Sequence, residues 1–178
     1  MTVVFMMYEI NTLSKLEDEY RQAVKSHFAD FFRNHDYEES HQKVVLYPVA
    51  KFEDAKTIYA GCGVYIILTD LDVGENPCRF ARDGMRAVYR GHCTKVKSRI
   101  WSHLFNNRYR AGHKGGVYYD VCMKLWDENG INIDAEPYSN ARWAVLVHKV
   151  AHSTEVMRIQ AEKAFDEVFG RPVASREA

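Results

Sequence analysis

Apolar residues at Leu16, Tyr20, Val24, Phe28 and Phe31 recur in steps of three and four, a spacing that predicts an amphipathic helix over residues 13–32. Thr12 or Ser14 can cap its start, and Asn34, His35 and Asp36 mark its end. Residues 43–49 read as a strand or extended linker; Pro48 lacks a ladder donor, which predicts an edge position. The run 63–69 is rich in β-branched and aromatic side chains and predicts a strand. Gly74, Asn76, Pro77 and Gly84 supply turn chemistry between it and a second strand at 87–91, so an antiparallel pair is expected. Thr94 is placed to cap a helix to about Asn106, with Val96, Ile100 and Leu104 as its apolar row. A flexible basic loop at 108–116 and a short helix at 117–129, ended by Gly130, follow. Residues 142–150 predict a third strand, and Ser153 or Thr154 caps a last helix to about Phe169. In that helix Met157, Ala161, Ala164, Phe165 and Val168 form a buried stripe, with Glu155, Arg158, Glu162 and Asp166 on the other side.

The fold class expected is α+β: a small, mainly antiparallel three-stranded sheet flanked by helices, with an N-terminal helical extension. Residues 1–60 are the extension and 61–178 the core domain. The extension can pack on the core, form a homodimer surface or help select a ligand, and packing is the simplest of the three. With 178 residues, 47% of them hydrophobic, the chain can bury a real core. No apolar run approaches the roughly 20 residues of a membrane span. Residues 1–8 are apolar but lack a basic start and a small-residue cleavage site, so a cytoplasmic protein is expected. Cys62, Cys78, Cys93 and Cys122 have no zinc-like spacing and read as reduced thiols. His148 and His152 lie four apart, but a strand through His148 takes them out of helical register as a metal pair.

Charge changes the picture more than composition does. The formal net charge is zero, yet no Asp or Glu occurs between Asp83 and Asp120, a stretch that holds eight of the 24 basic residues. The rest of the chain is therefore net negative by eight. Tyr89, Trp101, Phe105, Tyr109, Tyr118 and Tyr119 lie in or beside this basic stretch, as a surface for phosphates and bases requires. The competing reading is a solvated face whose cations meet acidic neighbours from elsewhere in the fold.

Two triplets sit on the first two strands, Gly63-Val64-Tyr65 and Tyr89-Arg90-Gly91. Side chains two apart share a strand face, so each triplet shows a glycine and a phenol the same way. Lys95, Arg99 and His103 recur every four residues on the following helix and are expected to share one accessible face. The triplets, the run from Tyr89 through His92 and Lys95 to Arg99, His103 one turn later and the helical Glu162 together resemble the GIY-YIG nuclease superfamily, over Gly61 to about Pro172. The chain departs from the family pattern in carrying His92 where a lysine is common and Arg90 where an apolar residue is usual. It also has no clear counterpart of a late asparagine, Ser175 being the nearest polar residue. Arg90 would face away from Tyr89, toward solvent or an acidic partner. The long stretch between the triplets resembles the restriction-endonuclease branch.

The resemblance implies a metal-dependent endonuclease that hydrolyses phosphodiester bonds of double-stranded DNA, with Tyr65, Tyr89, Arg99, His103 and Glu162 catalytic. Glu162 would be the ligand of Mg²⁺ or Mn²⁺, which suits a single carboxylate with several waters retained. Arg99 would hold the scissile phosphate with paired planar donors. Tyr65 is the expected base and Tyr89 the phosphate or metal-water contact, with the reverse assignment open. His103 would assist proton transfer or bind phosphate. His92, Lys95, Lys97, Arg108, Arg110 and Lys114 are the expected nucleic-acid contacts. The other readings are a homing or repair nuclease, and a nucleic-acid-binding regulatory protein whose nuclease site has degenerated. A bland role for Glu162, an exposed salt bridge with Arg158, also stands at this point.

Overall fold

All seven residues of strand β2 (Gly63–Thr69) are buried, because the strand lies in the middle of an antiparallel sheet with helices over both faces. The structure, a computed structural model, describes residues 9–39, 41–112 and 122–176. In chain order the remaining elements are α1 (Ile10–Asn34), β1 (Val44–Pro48), α2 (Phe52–Ala55), β3 (Ala81–Arg82), β4 (Met85–Cys93), α3 (Val96–Leu104) and α4 (Asn106–Gly112). They are followed by β5 (Lys124–Leu125), β6 (Glu128–Asn129), a 3₁₀ turn at Tyr138–Asn140, β7 (Trp143–Lys149) and α5 (Glu155–Phe169). The main sheet runs β1-β7-β2-β4-β3, and β5 and β6 pair as a separate hairpin.

Alternation along the strands divides the core in two. Tyr65, Ile67, Val145 and Val147 point to one face and pack with Val96, Ile100 and Leu104 of α3. Ile66, Leu68, Ala144 and Leu146 point to the other and pack with Phe165 of α5 and Phe32 of α1. Helix α1 is fixed on α5 by this apolar seam, and Lys25 and Arg33 both reach Glu167, at 3.0 and 2.8 Å. Among the described residues no helix is long and apolar enough to cross a membrane.

The mixed α and β class and the antiparallel sheet agree with the sequence, but the sheet has five strands rather than three. One extra strand is β1, at the edge as Pro48 predicts, paired with β7. The other is β3, a two-residue strand formed where Asp83 and Gly84 turn the chain into β4. Of the expected loop at 108–116, residues 108–112 belong instead to α4, since Tyr109 is buried and anchors the turn, and 113–116 lie outside the described residues. Within the expected helix at 117–129, residues 124–129 form the β5–β6 hairpin, and 117–121 lie outside the described residues. Helix α1 begins at Ile10, so Thr12 and Ser14 fall inside it. Lys95 rather than Thr94 takes the N-cap position of α3, without a side-chain cap. Thr154 does cap α5, its hydroxyl accepting from the Met157 N–H at 3.2 Å. None of the four cysteines is joined in a disulfide; Cys78 and Cys122 are buried and Cys62 and Cys93 half-buried.

His148 of β7 lies under α1 between Phe31 and Phe32, with its Nε2 buried and without a hydrogen-bond partner. Burial, then the neighbouring His35 and His41, pushes its pKa down from 6.5 to about 3. The folded pKa is depressed, so the contribution to stability is complete above the unfolded value and is lost as pH falls toward the folded one. Between about pH 6.5 and pH 4 this group alone should cost roughly 3 kcal/mol. Urea unfolding of His148→Phe should therefore show a markedly smaller loss of stability from neutral to acid pH than the wild type shows.

Candidate functional site

Register places the two phenols. Tyr65 of β2 lies opposite Gly91 of β4, and Ile67 opposite Tyr89, so Tyr65 and Tyr89 are diagonal neighbours on the α3 face. Their rings stack at 6.2 Å between centroids and 26° between planes. Gly91 makes this possible. A Cβ there would sit 2.5 Å from Tyr65 Oη and 2.9 Å from Tyr89 Cε1, so the phenols fill the space a side chain would take.

Behind the phenols His103 of α3 is fully buried. Its Nδ1 accepts the Met123 backbone N–H at 2.7 Å, so in the neutral ring the proton is on Nε2, which lies 2.8 Å from Tyr65 Oη and donates to it. Burial, then Arg99, holds the His103 pKa well below its usual value, which keeps the ring neutral. Further side-chain hydrogen bonds link Tyr65 to Tyr89 and to Arg99. Tyr65 has no exposed surface, while Tyr89 is 8% exposed. Burial raises both phenols, the Tyr65 hydroxyl well above 10, and Arg99 opposes the rise in each. Burial also works against the Arg99 charge, but Tyr65 and Tyr89 outweigh it and the guanidinium pKa rises.

Arg90 and His92 alternate to the opposite face, toward α5. Arg90 makes two bonds to the Asp166 carboxylate, at 3.0 and 2.7 Å, and its Nη1 lies 3.6 Å from Glu162 Oε1. The acidic partner expected for Arg90 is thus Asp166, with Glu162 beside it. The Arg90 N–H donates to Ser175 Oγ at 2.8 Å, so this part of β4 turns the backbone groups of its even-numbered residues away from β2. Two residues on, the His92 N–H faces the same outer edge and donates to the Glu162 carboxylate. The carboxylate of α5 therefore lies at the outer edge of β4 beside Gly91 and His92, within electrostatic reach of Tyr65, Tyr89 and Arg99 on the far face. Burial, opposed by Arg90, pushes Glu162 up to about 7.

Three expectations need correction. His103 does not share an accessible face with Lys95 and Arg99, because residues 122–133 lie over the end of α3, with Met123 bonded to the His103 ring and Ile131 to its carbonyl. Its ring has no exposed surface, and its two nitrogens are taken up by the Met123 N–H and the Tyr65 hydroxyl. Tyr65 is the inner phenol and Tyr89 the outer, so the phenol that can meet water is Tyr89, the reverse of the expected assignment. Glu162 is 6% exposed and pairs with Arg90, whereas Arg158 donates to Ser153 O at 2.6 Å, so the exposed Glu162–Arg158 bridge does not form.

Of the expected nucleic-acid contacts, Lys95 and Arg110 are exposed and Lys97 is half-buried. Arg108 is matched by Asp134 at 2.8 Å and lies over the Phe52 ring. His92 leans on Glu162 at 3.9 Å, and burial, then Arg158, lowers its pKa. Lys114 lies outside the described residues. Asp166, Ser175 and the Met123 N–H are parts of the site that sequence reasoning missed; only Asp166 had a signal, the polar Arg90 on its face. Among the described residues no group of three or more His, Cys, Asp and Glu side chains is arranged to hold a metal ion. Glu162 is the carboxylate nearest the phenols and Arg99, and Arg90 stands 3.6 Å from it.

The chain matches no family model, no curated protein and no solved structure.

Gly91→Ala should destabilise the fold by about 1–3 kcal/mol, since the new methyl overlaps both phenol rings. Gly112→Ala, where a Cβ meets nothing within 4 Å, is the control and should be neutral or slightly stabilising in the same thermal melts.

Proposed function

We propose that the chain is a metal-dependent endonuclease of GIY-YIG type that hydrolyses phosphodiester bonds of double-stranded DNA, with a restriction-like, site-specific mode of action. The observation that carries this reading is the meeting of two phenols, a guanidinium and one buried carboxylate at the outer edge of β4. The order β7-β2-β4, with α3 and α5 on opposite faces, supports the likeness at the level of the fold.

Hydrolysis needs an activated water and neutralised charge on the phosphate oxygens. In this reading Arg99 binds the non-bridging oxygens with paired donors, which is why it must stay charged beside two phenols. Tyr89 takes the proton of the attacking water. Tyr65 braces Tyr89 and is itself fixed by the His103 Nε2–H, a donor that favours the ionised form of the phenol it contacts. A hard divalent cation such as Mg²⁺ held by Glu162 would neutralise developing charge on the phosphate. The rival class, a binding protein with a degenerate site, draws on the proximity of Arg90 to Glu162, since a cation already stands near the proposed ligand.

Supercoiled DNA incubated with protein and Mg²⁺ should give discrete fragments. Glu162→Ala and Arg99→Ala should each lower the cleavage rate by at least about a hundredfold. Binding with no metal-dependent cutting by the wild type would overturn the nuclease reading, and cutting confined to branched or damaged DNA would move it to repair.

Because burial raises the Tyr89 phenol above its usual 10, the phenolate is scarce at neutral pH. The cleavage rate should accordingly climb with pH from about 6 to 9, through ionisation of Glu162 near 7 and through the phenol above it, and Tyr89→Phe should abolish the climb above about pH 8 while keeping the lower one.

A further inference from the structure

Across the outer edge of β4 the tail and the β5–β6 hairpin enclose a cavity of about 440 Å³. Leu125, Val73 and Ala174 give it an apolar floor, Lys124 and Arg176 stand at its rim, and among the described residues no carboxylate lines it. Trp126 forms one wall. It is 51% exposed, and its ring stacks on buried Tyr138 at 5.7 Å and 24°, so one side is backed by the core and the indole is held rigidly with its remaining surface open. An exposed tryptophan supported in this way loses little freedom on binding a flat ring.

The opposite wall is fastened to the catalytic strand. Ala174 donates to the Val88 carbonyl at 2.9 Å, Ser175 Oγ accepts from Arg90, and the Arg176 carbonyl accepts from Arg90 Nη2 at 2.9 Å. Val88 and Arg90 are the two strand neighbours of Tyr89, so this wall of the cavity is fastened within one residue, about 3.4 Å along the strand, of the outer phenol. Its volume lies in the range of sites for small molecules, ample for one nucleobase with part of its sugar.

We propose that this cavity receives a single unpaired nucleobase of the DNA strand being cut, stacked on Trp126, with Lys124 and Arg176 on the adjoining phosphates. The proposal rests on the nuclease reading for its choice of ligand, and the apolar floor, the aromatic wall and the two cations Lys124 and Arg176 fit that chemistry together. It gives the enzyme a requirement for local unpairing next to the cleavage point, met either by a displaced base or by a single-stranded segment.

The test is binding without metal. Trp126 is the exposed one of the chain's three tryptophans, Trp143 being 4% exposed and Trp101 half-buried, so its emission reports directly. A short oligodeoxythymidylate should quench tryptophan emission of the wild type. The quenching should vanish in Trp126→Leu, whose affinity should be about tenfold weaker, while Trp126→Phe keeps most of the affinity. A duplex with one bulged 2-aminopurine should bind more tightly than the fully paired duplex, with the probe's emission quenched only in the wild type. Equal affinity of wild type and Trp126→Leu for all three DNAs, with folded variants shown by unchanged melting, would overturn the cavity proposal. The nuclease reading fails separately: base capture without metal-dependent cutting leaves the cavity assigned and removes the activity, whereas cutting that is indifferent to Trp126→Leu does the opposite.

Discussion

The site depends first on one buried cation. Arg90 is 4% exposed, and its guanidinium ties two separate pieces of chain to β4: α5, through Asp166 with Glu162 beside it, and the tail, through the carbonyl of Arg176. An uncompensated buried guanidinium would cost several kcal/mol, so α5 can dock only in the rotation that presents Asp166 to β4. Glu162 lies one helical turn before Asp166, and the same rotation therefore carries it to the strand edge. A pair of this kind adds little net stability compared with an apolar equivalent. Its consequence is specificity of docking, and the carboxylate is placed by the ion pair rather than by its own attractions.

Within that frame the phenols are governed by steric room and by hydrogen-bond direction. Gly91 removes a side chain at the one register position where both rings must pass. The Met123 N–H fixes which His103 nitrogen carries the proton, and that choice turns Tyr65 into an acceptor on its inner side. The chain of donors runs from the backbone through an imidazole to a phenol without requiring any ionised group in the core. Burial of Tyr65 and His103 is costly only if either charges, and the geometry keeps both neutral in the resting state.

How much of this could be read from the sequence follows from the range of the interactions. The strands β2, β4 and β7 and the helices α1, α3 and α5 each carry their own periodicity, so their existence was legible from local pattern. Strands β3, β5 and β6 have two residues each, too few to show a period, and the turn of the second hairpin uses Trp126 at φ +49° where a glycine would have signalled it. Helix α4 begins at two asparagines and was read as a loop because its stability comes from burying Tyr109, a tertiary effect. For the site, Arg90 in a buried strand announced an acidic partner before any fold was known. Which residue would answer it, and that His103 would be covered by a segment twenty residues further on, are long-range facts with no local trace.

The same division explains why exposure, rather than residue type, separates the two tyrosines. Each sits in a triplet that carries one glycine and one tyrosine on the same strand face, and sequence alone does not rank them. In the sheet, β2 is central and β4 is flanked by only a short strand, so a phenol on β2 is enclosed while one on β4 stands beside an open edge. The edge is also where backbone donors remain unpaired, and here the tail and the Glu162 carboxylate take them. A sheet edge that would otherwise invite pairing with another strand is thus closed by a helix side chain and a tail residue. The proposed site gathers at that edge because side chains on both faces of the sheet, and the helices on them, approach the same stretch of β4 there.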